Sequence, residues 1–365
     1  MSLAAAFLAV NACASYFRAA PVAQQRRWND YLGSAQRASA AADTLGAEPA
    51  PLWKRDVGRG IVGAPALTES LVVLSQVDRQ VTVLDRSTGA IIYRRRFGEN
   101  IGSGPLVDYD HVYFATQTAD GQVRALNLAT GKVAWGTRLG DVSAPIALHD
   151  DQVYAGALSG LFTALSTTGG HPVWHTQLSG AVRAAPVVVS GGVIVATVSD
   201  SLYLLDRAAG VIRARRGTAG DVLAAPALAD SVVVFGTTTG HLEACDTASL
   251  ATRWSLDVGS EVVGAVAVQR DTAFALTGAG DLWWVPLAAP DRAFRVALGV
   301  VARGGPTPVA GGVLVVTVGG DVTLVDATGA RRWTATVHPP VVQPLVADGR
   351  FFLAVSERGE VAAFR

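Results

Sequence analysis

A proline that mostly follows Ala or Gly and precedes an apolar residue recurs along this chain. The series is Pro65, Pro105, Pro145, Pro186 and Pro226, then Val266 in the same slot, then Pro306 and Pro344. Every interval lies between 38 and 41 residues. A fixed period of this length is typical of repeat architectures, in which each repeat is one supersecondary unit. The period therefore constrains the fold more than any single motif does.

Two further registers keep the same spacing. An alternating segment that closes on a turn residue begins 14 to 16 residues after each slot, at Arg79, Gly121, Gly160, Asp200, Gly240, Gly280, Gly320 and Gly359. An aromatic residue or its substitute stands 10 to 12 residues before each slot, at Trp53, Tyr93, Trp135, Trp174, Ala214, Trp254, Phe294 and Trp333. Each repeat thus reads as four short strands separated by polar turns.

Eight such units predict an all-β fold, an eight-bladed β-propeller of four-stranded antiparallel blades. A solenoid of parallel strands is the structural alternative, although its coils are shorter and lack alternating turns. The 39 glycines and the half-apolar composition suit short strands joined by tight turns. The strand that starts at Trp53 precedes the first slot, and the chain stops after a third strand. We therefore expect the N-terminal strand to complete the C-terminal blade and close the ring.

The segment ALNLATGKVAW, residues 125 to 135, runs from a third strand through a turn to an outermost strand. Asn127 takes the place of the aspartates that cap such turns, and Gly131 supplies a position of positive φ. The segment resembles the tryptophan-bearing repeat of quinoprotein-like propellers. That resemblance implies that the tryptophans dock one blade on its neighbour, and the residues it covers are Trp53, Trp135, Trp174, Trp254 and Trp333.

The N-terminal region is predicted to be a targeting segment. Residues 3 to 10 form a short apolar run, and the following VNAC resembles the lipobox of bacterial lipoproteins. We expect residues 1–12 to be a signal peptide and Cys13 to be lipidated; a plain cleaved signal or a buried N-terminal helix are the alternatives. Residues 13–52, with Trp28 and Arg37, resemble the lead-in that packs on quinoprotein-like propellers. The propeller itself is predicted over 53–365.

Catalytic patterns are missing from the sequence. Quinone enzymes need a calcium site of carboxylate and amide oxygens and a base near the central axis. The predicted innermost strands, such as APAL and APVVV, offer no Asp, Glu or His. Cys245 takes the place of a core leucine and is interpreted as a buried, inert thiol. Thirty basic and thirty acidic residues cancel, so no nucleic-acid footprint is visible. We expect no cofactor and no metal.

Charged residues recur in the loops that join one repeat to the next. They are Arg59, Asp141, Arg183, Asp221, Glu261 and Arg303, accompanied by Glu99, Asn100 and His338. Their similar position predicts a collar on one face of the ring, around the channel mouth. The collar either solvates the loops or orients a protein partner, since charge patterns confer specificity.

The repeats and the lipobox together resemble the BamB family of outer-membrane protein assembly factors. This resemblance implies a non-enzymatic scaffold, anchored by lipid at the periplasmic face of the outer membrane. It also implies a BamA-like barrel protein and other assembly components as partners, with unfolded barrel precursors as further ligands. Leu178 and Arg183 stand nearest to the family's partner-binding loop but differ from it in spacing. A quinone-dependent dehydrogenase and a sensory or polysaccharide-binding propeller are the alternative functions.

Overall fold

A computed structural model of the chain describes residues 16–17, 31–33, 49–337, 340–349 and 351–365. These residues form eight antiparallel sheets; seven contain four consecutive strands, and the eighth contains the last three strands of the chain and one from its N-terminal part. The sheets are arranged in a ring, and the prediction of an eight-bladed β-propeller is confirmed. The residues of the signal peptide and most of the lead-in, including Cys13, Trp28 and Arg37, lie outside the described part of the chain.

The strands are numbered in chain order, and each blade runs from its innermost to its outermost strand. Two strands precede blade 1: β1 (Tyr16–Phe17) and β2 (Pro51–Asp56). Blade 1 contains β3 (Ala66–Leu67), β4 (Leu71–Gln76), β5 (Gln80–Asp85) and β6 (Ile91–Arg96). Blade 2 contains β7 (Leu106–Asp108), β8 (His111–Ala115), β9 (Gln122–Asn127) and β10 (Lys132–Arg138). Blade 3 contains β11 (Ala147–His149), β12 (Gln152–Gly156), β13 (Leu161–Ser166) and β14 (Pro172–Gln177).

Blade 4 contains β16 (Val187–Val189), β17 (Gly192–Val198), β18 (Ser201–Asp206) and β19 (Ile212–Gly217), with a short extra strand β15 (Ala181–Val182). Blade 5 contains β20 (Ala227–Ala229), β21 (Val232–Gly236), β22 (His241–Asp246) and β23 (Thr252–Asp257). Blade 6 contains β24 (Val262–Gln269), β25 (Thr272–Thr277), β26 (Asp281–Pro286) and β27 (Phe294–Ala297). Blade 7 contains β28 (Thr307–Val309), β29 (Gly312–Val316), β30 (Asp321–Val325) and β31 (Arg331–Thr336). Blade 8 contains β32 (Val346–Asp348), β33 (Phe351–Val355) and β34 (Glu360–Phe364).

The ring is closed by a strand from the opposite end of the chain. β2 pairs antiparallel with β34, with Trp53 opposite Ala363. The backbones of Ala50 and Arg365 exchange two hydrogen bonds of 3.0 Å at the end of this pair. The N-terminal strand therefore supplies the outermost strand of blade 8, as the sequence predicts. It begins at Pro51, two residues before Trp53.

One arginine joins blade 1 to blade 8 on the side of the ring where the first and second strands of each blade meet. The guanidinium of Arg86 donates to the carboxylate of Asp348 at 2.7 Å and to the carbonyl of Thr68 at 2.7 Å. It also lies 4.4 Å from the centre of the Phe351 ring. A cation packed on an aromatic face and paired with a carboxylate holds two surfaces together. The closing seam is thus bonded by side chains as well as by strand pairing.

Aspartates fix the turns between third and fourth strands. In blade 5 the carboxylate of Asp246 accepts hydrogen bonds from the N–H groups of Ala248 and Ser249, both at 3.0 Å. The Arg253 guanidinium lies 2.7 Å away, and its hydrogen bond helps lower the pKa of Asp246 to about 2. The carboxylate is therefore ionised at neutral pH, where it accepts these bonds and sets the geometry of the turn.

Four of the docking tryptophans contact the corresponding turn of the next blade, and Trp333 stacks on Phe352 of blade 8. The indole N–H groups donate to backbone carbonyls 2.8 to 3.0 Å away, in the pairs Trp53–Arg86, Trp135–Thr167, Trp174–Arg207 and Trp254–Leu287. The ring lies so close to the turn glycine that a Cβ on Gly210 would stand 2.4 Å from the Trp174 ring. Gly89 and Gly170 receive Trp53 and Trp135 in the same way.

The innermost strands are mostly buried, and three of them extend beyond the predicted apolar segments to an Asp or a His. β7, β11 and β32 end in Asp108, His149 and Asp348, so the expectation that these strands carry no Asp, Glu or His is wrong. All three residues stand at the ends of the strands, next to the first turn of the blade. Among the described residues, no helix is long and apolar enough to cross a membrane.

The contact between tryptophan and glycine can be tested with two matched glycines. Gly210 and Gly259 have φ values of +69° and +79°, but only Gly210 would place a Cβ against a neighbouring group. Gly259→Ala should cost about 1 kcal/mol of unfolding free energy, because alanine disfavours positive φ. Gly210→Ala should cost about 2–4 kcal/mol because the Trp174 ring must also move. Urea denaturation of both variants measures the difference. Equal losses would show that the tryptophan contact adds nothing.

Candidate docking face

One face of the ring carries two sets of loops. The first set joins the outermost strand of one blade to the innermost strand of the next, and is called here the 4–1 loops. The second set joins the second and third strands of a blade, and is called the 2–3 turns. In seven blades an N–H of the 2–3 turn donates to a carbonyl of the preceding 4–1 loop at 2.7 to 3.0 Å. These pairs are Val77–Gly60, Gln117–Asn100, Leu158–Asp141, Thr238–Asp221, Gly278–Glu261, Val318–Val301 and Glu357–Pro340.

These backbone bonds involve four of the predicted collar residues, Asn100, Asp141, Asp221 and Glu261. Because the carbonyl of each is bound, the backbone of the loop is held in place. In blade 4 a side chain replaces the backbone donor: the hydroxyl of Ser199 donates to the carbonyl of Ser179 at 2.8 Å. The collar is thus built on loops of defined conformation.

Three collar residues surround one cavity of about 330 Å³ on this face. We call it the mouth cavity and define it by Tyr31, Arg183, Leu223, Glu261, Val263 and Arg303. Arg183, Glu261 and Arg303 are exposed. Within the described part of the chain, none of these three charged groups forms an ion pair or a side-chain hydrogen bond. Their charges therefore remain available to a partner.

The register of the repeats explains why these residues meet. Arg183, Leu223, Val263 and Arg303 all stand three residues before the proline slot, in blades 4, 5, 6 and 7. Leu223, which is 47% exposed, is not among the predicted collar residues because the collar was defined by charge. Aligning the eight repeats on the slot would have found it. Tyr31, in a short 3-10 helix (Tyr31–Gly33), was assigned to the lead-in and not to the cavity.

The other collar residues do not line the mouth cavity. Arg59 is exposed in the 4–1 loop before blade 1, and Asp141 is half-buried before blade 3. Asp221 is half-buried, and its carboxylate accepts a 3.4 Å hydrogen bond from the N–H of Asp200. Glu99 is paired with Arg124 at 2.6 Å and is thereby neutralised. His338 lies outside the described residues.

Leu178 needs a correction. Its side chain is 3% exposed and packs in the core cluster that contains Trp174 and Val182. A side chain buried in this way is not offered to a partner, and the expectation that Leu178 contributes to docking is wrong. Its neighbour on the same loop, Arg183, is exposed at the mouth cavity. The leucine at the surface belongs to the next blade, at Leu223.

Comparison with protein families identifies the group to which this propeller belongs. The family model for the outer membrane protein assembly factor BamB matches residues 36–143, 119–213 and 280–365, which together exceed half of the chain. The chain belongs to the BamB family. The matched stretches include the 4–1 loops that carry Arg183 and Arg303.

Individual BamB proteins are similar to the chain at modest identity. The assembly factor BamB of Legionella pneumophila is 26% identical over 191 residues, which is 49% of each chain. The Yersinia pestis protein is 27% identical over 195 residues, 47% of this chain and 49% of its own. The chain thus spans about half the length of these curated relatives. The Burkholderia pseudomallei protein is 26% identical over 294 residues, 71% of this chain and 76% of its own.

Solved structures with the same fold include both BamB and a quinone enzyme. BamB from Moraxella catarrhalis superposes with a TM-score of 0.77 at 16% identity, covering 87% of this chain and all of that one. The quinohemoprotein alcohol dehydrogenase of Comamonas testosteroni gives a TM-score of 0.78 at 14% identity, covering 93% of this chain and 80% of that one. At such identities the likeness shows the fold alone, and the site must separate the two functions.

The residues at the mouth cavity do not fit a quinone with its calcium ion. Calcium takes six to eight oxygen ligands, several of them carboxylates. The mouth cavity offers the single carboxylate of Glu261, and the cations Arg183 and Arg303 share the same space. Among the described residues, no group of three or more His, Cys, Asp or Glu side chains is placed to hold a metal.

Cys245 lies in the core of blade 5, where burial raises the pKa of its thiol to about 11. At pH 8 the thiol is therefore protonated, and the reactive thiolate is scarce. In a Cys13→Ser background, we expect a disulfide-exchange reagent to leave Cys245 unmodified in the native protein. The same reagent should react fully in denaturant. The reaction is measured by absorbance. Rapid labelling of the native protein at pH 8 would contradict the prediction, because it would show that the thiol is accessible and has a lower pKa.

Proposed function

We propose that this protein is a non-enzymatic interaction scaffold in the assembly of outer-membrane β-barrel proteins. A BamA-like outer-membrane barrel protein is the proposed partner, and the mouth cavity is the proposed docking site. The observation that carries the proposal is that Arg183, Leu223 and Arg303 occupy the same position of the repeat, in blades 4, 5 and 7, and line the same cavity. Membership of the BamB family supplies the biological setting.

The mouth cavity has the composition of a protein-docking site. Leu223 lines the cavity and is 47% exposed. Val300 and Val301 do not line it, but they belong to the 4–1 loop that carries Arg303 and are 44% and 50% exposed. Apolar anchors beside arginines recur in the energetic centres of protein interfaces. Because Arg183 and Arg303 form no ion pair with any described residue, they can bind carboxylates of a partner without losing such a bond.

The proposal places the chain on the periplasmic side of the outer membrane, with Cys13 as the lipidated residue. Other components of the assembly machinery and unfolded barrel precursors are its further proposed ligands. The alternative of a sensory or polysaccharide-binding propeller is suggested by the same cavity. Its volume of about 330 Å³ stands near the lower limit of ~300–1,000 Å³ for small-molecule sites.

A double substitution tests the docking site. Arg183→Glu with Leu223→Asp removes one cation and one apolar anchor at the mouth cavity. Because such central residues contribute about 2 kcal/mol or more each, we expect at least a tenfold loss of the co-purified barrel protein. The measurement is affinity purification from native membranes followed by quantitative mass spectrometry, which also reports the acyl state of Cys13.

The matched control is Arg292→Glu with Val211→Asp, two exposed residues on other parts of blades 6 and 4. It makes the same change in charge and polarity and should leave the association intact. Equal losses in the two variants would contradict docking at the mouth cavity. Recovery of a soluble small ligand with no membrane partner would favour the sensory alternative.

The enzyme alternative has its own test. Purified protein given pyrroloquinoline quinone and calcium should not reduce an artificial electron acceptor in the presence of alcohols or aldoses, because the cavity lacks the ligands for the ion. Dye reduction that depends on both quinone and calcium would overturn the assignment as a scaffold. Spectrophotometric titration of the quinone with protein checks binding separately from turnover.

A further inference from the structure

The outermost strands of three consecutive blades carry cations that mostly have no carboxylate partner among the described residues. These strands are β2 of blade 8, β6 of blade 1 and β10 of blade 2. We call their cations the basic rim: Lys54, Arg55, Arg94, Arg95, Arg96, Lys132 and Arg138. The same three strands carry a single acidic residue, Asp56. The chain as a whole is neutral, so this local excess is a property of the fold and not of the composition.

The basic rim is nearly free of ion pairs. Arg55, Arg94 and Arg95 donate to the backbone carbonyls of Gly89, Val57 and Gly131 at 2.8, 3.2 and 2.9 Å, which leaves their charge in place. Lys54 stands 3.9 Å from Glu360, and its side chain is half exposed. In the described part of the chain, Arg96, Lys132 and Arg138 have neither an ion pair nor a side-chain hydrogen bond.

The arginines on the outermost strands of blades 4 to 7 differ from the basic rim in their ion pairing. Most of these arginines contact a carboxylate, as in Arg253–Asp246 at 2.7 Å and Arg295–Asp281 at 2.8 Å. The remaining pairs are Arg213–Asp206, Arg216–Glu243 and Arg332–Asp326. Five of the seven arginines on the outermost strands of blades 4 to 7 are thus paired with a carboxylate. Of the seven cations of the basic rim, Lys54 alone stands near a carboxylate among the described residues. If these cations served only to keep the rim soluble, no such difference in ion pairing between the blades would be needed.

The N-terminal chain reaches the ring at the centre of the basic rim. β1 pairs antiparallel with β6, with Tyr16 opposite Arg94 and Phe17 opposite Tyr93. Cys13 precedes Tyr16 by three residues, and a chain spans at most ~3.6 Å per residue, so about 11 Å is the greatest distance that can separate the two Cα atoms. An acyl group on Cys13 would therefore tether the membrane to blade 1.

We propose that the basic rim binds an anionic lipid surface and holds the disc edge-on to the membrane. The proposal rests on lipidation of Cys13, but not on the docking of a barrel protein at the mouth cavity. The diacylglyceryl group of a lipobox cysteine anchors the chain, and a cluster of cations beside it adds electrostatic attraction that fixes the orientation of the disc. Each cation near an anionic surface contributes about a fivefold change in affinity. In the edge-on orientation neither face of the disc lies against the lipid, so the mouth cavity stays open.

Vesicle binding by the full chain in a Cys13→Ser background tests the basic rim without an acyl chain. The probes are vesicles of 30:70 phosphatidylglycerol and phosphatidylcholine, with pure phosphatidylcholine for comparison. We expect the chain to bind the anionic vesicles more tightly, and the difference to fade as salt is raised. Any insertion of the apolar residues 3–10 would appear with both kinds of vesicle. Inorganic phosphate at constant ionic strength should not compete, since a charged surface and not a single phosphate is bound.

Arg96→Glu with Arg138→Glu should lower the affinity for anionic vesicles at least tenfold in a flotation assay. Neither side chain bonds to another described residue, so the fold should be retained. The control Arg270→Glu with Arg292→Glu makes the same change in net charge on exposed residues of blade 6. We expect it to bind nearly as the parent does. Equal loss in both pairs, or no preference for anionic vesicles, would overturn the proposal; selective binding to an acidic protein in place of vesicles would also do so.

The orientation has a separate readout. Ala134→Cys places a label on β10 of the basic rim, and Ala288→Cys places one on the exposed loop of blade 6. Cys245 is buried and should remain unlabelled. With an environment-sensitive dye, anionic vesicles should change the emission at position 134 and not at 288. The opposite result, or equal changes, would rule out edge-on contact through blades 8, 1 and 2.

Discussion

The packing of an indole on a turn glycine of the next blade is the contact on which this ring depends. Trp53, Trp135 and Trp174 each combine a hydrogen bond to a backbone carbonyl with close contact to Gly89, Gly170 or Gly210. The contact fixes the spacing between blades at the rim, while small and β-branched residues fill the space nearer the axis. A residue larger than glycine at the turn would separate the blades, and this explains why Trp and Gly recur together.

The repeat spacing was enough to predict the number of blades, the strand order and the closure of the ring. These follow from local patterns, since each blade is a continuous segment with its own turns. Leu178 was misjudged because its burial depends on Trp174 and on the next blade, which composition does not show. The strands that end at Asp108 and His149 are longer than predicted, because a polar residue at the end of a strand resembles the first residue of a turn.

The functional surfaces were harder to predict for a related reason. Arg216 and Glu243 form an ion pair across 27 residues of sequence, whereas Arg96 has no acidic partner among the described residues. The sequence around an arginine does not distinguish a paired side chain from an unpaired one, because pairing depends on which residues the neighbouring blade places beside it. The mouth cavity likewise needs the alignment of four repeats, with Arg183 and Leu223 equivalent in register despite their different chemistry.

Closure by β2 and β34 has a consequence for the way the chain reaches its folded state. The two strands meet across about 310 residues, and closing a loop of that length costs about 5 kcal/mol in chain entropy. Until the C-terminal strand has been synthesised, β2 has no partner and the edge of β33 is bare. Such high contact order favours slow completion of folding, with open edges exposed meanwhile to pairing with other chains. The proposed role of this protein is to assist the assembly of β-barrels, and its own folding likewise ends with the pairing of an N-terminal strand with a C-terminal one.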